Sequence, residues 1–162
     1  MENKNIKIRF ANESDTGLIL QFIKDLAEYE KLSDNLTVND ELIRKNLFGS
    51  SGIAECLIAE FDDKPCGFAV FFHNFSTFKG KPGLYLEDLF VQPDMRGKGI
   101  GKALLVELAT IAKARDCARF EWSVLDWNQP AIDFYKSIGA VPMSEWTIFR
   151  LEAKGIERLS SK

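Results

Sequence analysis

Ile6, Ile8 and Phe10 alternate with Lys7 and Arg9, the period-two pattern of a strand with one buried face. The period then lengthens. Leu18, Ile19, Phe22, Ile23, Leu26 and Tyr29 recur at helical steps, with Asn12 or Ser14 ahead of them as a cap. Beyond Ser33-Asp34-Asn35 a second helix is predicted, capped by Thr37 and stopped by Gly49, with Leu42, Ile43, Leu47 and Phe48 on one face. Residues 53–61 and 66–75 flank the turn sequence Asp62-Asp63-Lys64-Pro65 and predict an antiparallel hairpin.

A Gly- and Lys-rich loop over residues 76–83 leads to a strand over 84–91, which Pro93 ends. The glycine-rich stretch that follows opens a helix carrying Ala103, Leu104, Leu105, Leu108, Ile111 and Ala112. Residues 119–125 return as a strand. Asn128 caps a short helix with Pro130 in its first turn, where a missing N–H does no harm. Gly139 ends that helix, and residues 141–152 are expected to complete the sheet. The order β-α-α-β-β-β-α-β-α-β predicts an α/β fold, one mixed sheet with helices on both sides. No repeat or linker interrupts it, so residues 1–162 are read as a single domain.

Charge and cysteine usage narrow the class. A formal net charge of −3 leaves no broad basic surface, which argues against nucleic acid as a partner. The longest apolar run, residues 67–72, is too short to span a bilayer. Met1-Glu2-Asn3-Lys4-Asn5 leads into a strand rather than into a signal-peptide core, so a cytoplasmic protein is expected. Cys56, Cys66 and Cys117 lack the short spacing of a zinc or redox motif; they read as buried, reduced thiols, and no metal is predicted. His73, the only histidine, ends an apolar strand without a partner motif and reads as structural.

The strongest chemical signal is Gln92-Pro93-Asp94-Met95-Arg96-Gly97-Lys98-Gly99-Ile100-Gly101-Lys102. Strand, glycine turn and helix start make an anion site: the backbone comes close, and free N–H groups and the helix dipole face the ligand. A Walker loop needs four residues before its Gly-Lys and a hydroxyl after it; here Gly97 and Gly101 have three between them, and Ala103 follows Lys102. The even spacing of Gly97, Gly99 and Gly101 also departs from the dinucleotide fingerprint. A solvated turn without ligand remains the alternative.

Gln92-x-x-x-Arg96-Gly97-x-Gly99-x-Gly101 resembles the coenzyme A loop of the GNAT superfamily of N-acetyltransferases. Leu86-Glu87-Asp88, Trp127-Asn128-Gln129-Pro130 and Asp133-Phe134-Tyr135-Lys136 resemble, in that order, segments of its diamine (spermidine/spermine) and thialysine acetyltransferase group, as does Leu26-Ala27-Glu28-Tyr29-Glu30. The resemblance implies a mixed, mostly antiparallel sheet of about six to seven strands with about four helices, splayed where acetyl-CoA enters. It implies that the backbone of Leu89, Phe90 and Val91 pairs with the pantetheine arm. Arg96, Gly97, Lys98, Gly99, Ile100, Gly101 and Lys102 would hold the pyrophosphate. Asn128, Ala131, Phe134 and Tyr135 would meet the cofactor from the other side, with Tyr135 as the general acid that protonates the leaving thiolate. It also implies a homodimer.

Glu87 and Asp88 interrupt an apolar strand, a costly arrangement unless each carboxylate has a partner. They read either as a salt-bridged structural pair or as the acceptor's carboxylates, Asp88 binding the amine and Glu87 binding it or relaying its proton through water. Strand alternation points only one of them at the reacting centre. Glu28, Tyr29 and Glu30 close the first helix, where acidic groups oppose its dipole. They are either a solvated end or, by the resemblance, include acceptor contacts at Tyr29 and Glu30, with Glu121, Trp122 and Glu145 as further wall residues. A lysine-like amine has a pKa of about 10.4, so its nucleophilic form lies ~4.6 kcal/mol uphill at pH 7. The site must therefore bind a cation and then take its proton. The reading is direct acetyl transfer from acetyl-CoA to a small cationic amine in a ternary complex. A protein or peptide amine, or a sensor that binds acetyl-CoA without turnover, are the alternatives.

Overall fold

The computed structural model describes residues 5–161 and divides the chain into two compact units, Met1–Ser123 and Val124–Lys162. Met1 to Lys4, the polar lead-in, lie outside the described residues. In the first unit β1 (Ile6–Phe10), β2 (Glu55–Phe61), β3 (Lys64–Ser76), β4 (Lys81–Val91) and β5 (Phe120–Trp122) form one sheet in chain order. The neighbours are antiparallel except β4 and β5, which run parallel. This is the mixed, mostly antiparallel α/β architecture expected, with five strands among the described residues.

Local chemistry accounts for the turns. Asp62 and Asp63, at φ 50° and 59°, supply the left-handed pair that a two-residue hairpin needs. Asn12, not Ser14, caps the turn that leads into α1 (Thr16–Tyr29), and Asp15 closes the capping box with the Asn12 amide. The second helix, α2 (Asp40–Ile43), starts later than expected. Its cap is Asn39, whose Oδ1 accepts from the Leu42 amide at 2.9 Å, while Thr37 lies outside it.

α1 lays Ile19, Phe22 and Leu26 on one sheet face, where the Phe22 ring sits 5.5 Å from Phe68 and 6.3 Å from Phe90. Each such phenylalanine contributes about 2–3 kcal/mol by leaving water. α3 (Ile100–Ala114) buries Leu104, Leu105, Leu108 and Ile111. Its Gly101 faces Leu89 and Val91, side chains of the opposite sheet face from Phe90. Phe10 departs from the expected alternation and stands 49% exposed; Arg9, expected to face solvent, is pinned instead. Arg9 Nε donates to Glu60 Oε1 at 2.7 Å and its Nη atoms to both Asp15 oxygens at 2.8 and 2.9 Å. This cation ties β1 to β2 and to the start of α1.

The second unit holds α4 (Gln129–Ser137), capped by Asn128 and followed by Gly139 at φ 90°, and α5 (Ala153–Ser160). The strand expected over residues 141–152 does not form, and α5 was not foreseen. Apolar and polar residues in that stretch lose alternation at Ser144-Glu145 and again at Ile148-Phe149, and no strand among the described residues pairs with it. Trp146, Ile148 and Phe149 stand 74%, 76% and 92% exposed. No helix among the described residues is long and apolar enough to cross a membrane.

Candidate functional site

Parallel pairing between β4 and β5 joins only Leu84 to Phe120, Tyr85 to Glu121 and Leu86 to Trp122. Past Leu86 the two strands part, leaving the edge of β4 over residues 87–91 without a β5 partner among the described residues. Its outward backbone groups can there pair with a ligand that adds as a strand, except the Val91 carbonyl, which accepts from Arg96 Nε. Leu89, Phe90 and Val91 lie on this stretch. Tyr85 and Ser123, 2.8 Å apart through their hydroxyls, brace the closed end.

On its other side β4 carries a bulge. Val70 faces Asp88 and Phe71 faces Leu86, so Glu87 is an extra residue with no opposite number on β3. Simple alternation therefore fails at this point: Leu86 and Asp88, two residues apart, lie on opposite faces of the sheet. Asp88 shares the Val70 and Phe90 face, beneath α1, while Glu87 is exposed. Burial, then the charges of Glu87 and Glu30, push the Asp88 carboxyl up to about 6. Burial also raises Glu30. Asp88, Glu87 and Glu30 thus interact as one acidic group; among the described residues none has an ion-pair partner.

The other expected wall residues separate. Glu121 is held by Arg119 Nε at 2.7 Å and Asn74 Nδ2 at 3.4 Å, a structural tie between β5 and β3. Trp122 lies half-buried with its ring 4.9 Å from Phe120. Glu145 is exposed in the irregular segment of the second unit.

Between β4 and α3 the chain makes one turn, Pro93–Met95, and then passes Gly97 and Gly99 at φ 77° and 87°. A Cβ on either glycine would meet nothing within 4 Å, so both backbones face open space in a conformation other residues resist. The amides that begin α3 have no intrahelical acceptor. Exposed Lys98 and Lys102 flank them, and the Lys98 ammonium lies 5.0 Å over the Phe61 ring. An open glycine backbone, helix-start amides and cations fit a pyrophosphate.

Arg96 does not simply face solvent. Its guanidinium lies 4.4 Å over the Tyr29 ring and 5.7 Å from the Phe90 ring, and its Nε donates to the Val91 carbonyl at 3.0 Å. Below it an open cleft of about 460 Å³ is lined by Asp25, Glu28, Tyr29, Phe90, Gln92, Pro93 and Asp94. Asp25 and Asp94 escaped the sequence reading. Asp25 stands one helical turn before Tyr29, so spacing along α1 carried the signal; Asp94 sits in a loop, where none exists.

In the second unit Asn128 Oδ1 accepts from the Ala131 amide at 3.4 Å, which fixes the start of α4. Phe134 and Tyr135 are half-buried, their rings 5.7 Å apart. The cysteines offer no ready nucleophile. Burial pushes the Cys56 thiol up to about 12 and also raises Cys66 and Cys117. Among the described residues no group of three or more His, Cys, Asp or Glu could hold a metal ion.

Comparison with known proteins brings these features together. The model of the acetyltransferase (GNAT) family matches residues 20–140, a span that takes in the loop, Asn128 and Tyr135. Thialysine N-epsilon-acetyltransferase from Bos taurus is 39% identical over 168 residues, covering 97% of this chain and 98% of that protein. The Homo sapiens spermidine/spermine N(1)-acetyltransferase-like protein 1 is 36% identical over 154 residues, covering 89% of this chain and 22% of that one. Among solved structures, an integron cassette protein from the mobile metagenome of V. cholerae superposes with a TM-score of 0.82 at 30% identity, covering 99% of this chain and all of that one.

Proposed function

Because the chain belongs to the acetyltransferase (GNAT) family, we propose that it acetylates a primary amine of a small cationic acceptor, a thialysine-like amino acid or a polyamine, by direct attack in a ternary complex. The observation that carries this reading is the half-buried Asp88, grouped with Glu30 and Glu87 where β4 parts from β5. Three carboxylates with no ion-pair partner among the described residues suit an acceptor that brings a cation. An open, neutral groove would suit a peptide better. Similarity to a thialysine N-epsilon-acetyltransferase and to a spermidine/spermine N(1)-acetyltransferase-like protein supports this choice.

Acetyl-CoA supplies a thioester carbonyl as the electrophile. The residues around it divide the work. The amides of Gly97 to Lys102 and the Lys98 and Lys102 ammonium groups hold the pyrophosphate, and the open edge of Leu89 to Val91 aligns the pantetheine arm. Asn128, with Ala131 and Phe134, bounds the cofactor from α4. Asp88 holds the acceptor's ammonium group, with Tyr29 and Glu30 beside it, and Glu87 passes the departing proton to water. The amine nitrogen then bonds the carbonyl carbon, the carbon–sulfur bond breaks, Tyr135 gives its hydroxyl proton to the thiolate, and the second proton shed by the new amide nitrogen restores the Tyr135 hydroxyl through water. Cysteine thiols held above their ordinary range support transfer without an acyl-enzyme.

The family match crosses the boundary between the two units, which supports reading both as one acetyltransferase domain. We also propose a cytoplasmic homodimer; the exposed Trp146, Ile148 and Phe149 are apolar surface that a second copy would cover.

Thiol release from acetyl-CoA, measured against spermidine, thialysine, lysine and aminoglycosides across pH, tests the acceptor site. The Asp88 carboxyl is neutral below its pKa of about 6 and charged above it. kcat/KM for the amine is therefore expected to fall as pH drops through 6. Asp88→Asn should remove that limb and lower kcat/KM at pH 8 by about 10²-fold. An unchanged profile in the variant assigns the acidic limb elsewhere. No thiol release with any amine rejects the function.

A further inference from the structure

The pyrophosphate loop and the acceptor wall are joined by one side chain. Arg96 belongs to the loop by sequence, yet its guanidinium carbon lies 4.4 Å over the ring centroid of Tyr29, the last residue of α1. Its Nε is spent on the Val91 carbonyl at the end of β4. Phe90, on that same strand, is the second ring beneath it, and Phe90 is buried against Phe22 of α1. One cation thus touches the loop, the cofactor strand and the end of the acceptor helix.

The geometry points to Arg96 as a positioning residue that couples the two halves of the site: the same guanidinium grips a coenzyme A phosphate by its edge and Tyr29 by its face. A guanidinium is planar, with N–H donors around its rim and an apolar face above and below. Stacking on an aromatic ring uses the face and leaves the outer Nη groups to donate. Arg96 is exposed, so those groups are open to an anion. A lysine at this position could neutralise the phosphate but could not stack and donate at once.

The consequence is directional. A phosphate that immobilises Arg96 also immobilises Tyr29, and through it the neighbouring Glu30, whose charge reaches Asp88. Filling the cradle orders the acceptor wall, so the amine binds more tightly once coenzyme A is bound. Linkage makes the effect reciprocal: loosening Tyr29 must weaken coenzyme A, although Tyr29 lies on the acceptor helix.

This coupling rests on the acetyl-transfer reading only for its amine arm, and the test separates the two. Coenzyme A is titrated calorimetrically into the full chain and into Tyr29→Leu, Tyr29→Phe, Arg96→Lys and the Tyr29→Leu/Arg96→Lys double variant. Tyr29→Leu and Arg96→Lys should each weaken coenzyme A by about 3- to 10-fold. Tyr29→Phe, which keeps the ring, should bind as the parent does. The double variant should be no weaker than the weaker single variant, because both changes remove one contact. Unchanged affinity in Tyr29→Leu, equal loss in Tyr29→Phe, or independent losses that multiply in the double variant would each overturn the coupling. At saturating acetyl-CoA, Arg96→Lys should raise KM for the amine about 3- to 10-fold with kcat little changed. A chain that acetylates no amine rejects the function, yet the coenzyme A titrations still decide the coupling.

Discussion

Tyr135→Phe is expected to lower kcat about 10²- to 10⁴-fold while leaving acetyl-CoA affinity nearly unchanged. The substitution removes one oxygen and keeps the ring that sits 5.7 Å from Phe134, so the packing of α4 survives. What is lost is the proton for the departing thiolate. A thiol has a pKa of about 8.5, so a thiolate expelled near neutral pH gains free energy on protonation, and a placed donor lets the transition state share that gain. Initial rates with both substrates varied, beside a coenzyme A titration, check the result. A parallel loss of kcat and affinity would assign Tyr135 to binding, and an unchanged kcat would remove it from the reaction.

The largest expected effect on folding comes from Arg9→Met. Asp15 and Glu60 are both buried and both use this guanidinium. Methionine keeps part of the length and none of the charge, leaving, among the described residues, Glu60 with Lys7 alone at 3.6 Å and Asp15 without a cation. Removing one partner of a buried ion pair costs about 3–5 kcal/mol; Arg9 retains some solvent contact, so about 3 is expected, seen as a lower urea midpoint. Arg9 holds both carboxyls below their ordinary range. Unfolded chains thus take up these protons at higher pH than folded ones. The stabilisation is complete above the ordinary carboxylate range of about 4 and is lost as pH falls through the lower folded values. The gap between parent and variant should accordingly narrow on acidification. A gap that stays constant down to pH ~2 would show that Arg9 acts by packing rather than by charge.

Much of this molecule is written locally in its chain. The hairpin follows from Asp62-Asp63, the phosphate loop from Gly97 and Gly99, and the start of α4 from Asn128-Gln129-Pro130; each depends on a few adjacent residues. Features that depend on distant partners were not legible. The bulge at Glu87 exists only against Val70 and Phe71 of β3, so spacing within β4 could not reveal it. Only that pairing sets the two neighbouring carboxylates apart, leaving Asp88 half-buried and Glu87 exposed. The tie of Glu121 to Arg119 and to Asn74, which lies across the sheet, is likewise invisible to spacing. The stack of Arg96 on Tyr29 joins residues far apart in the chain. Residues 141–152 have strand-forming side chains and no strand beside them, and composition cannot provide one.

One competition measurement tests the central claim most directly. The purified chain is given limiting acetyl-CoA and an equimolar mixture of spermidine, thialysine and a lysine-containing peptide, and the products are resolved by mass spectrometry. The proposed acceptor site at Asp88, Glu30 and Glu87 predicts that the acetyl group appears on a small amine, with one free thiol released for each amide formed. Acetyl appearing on the peptide alone, or coenzyme A bound with no product, would contradict it.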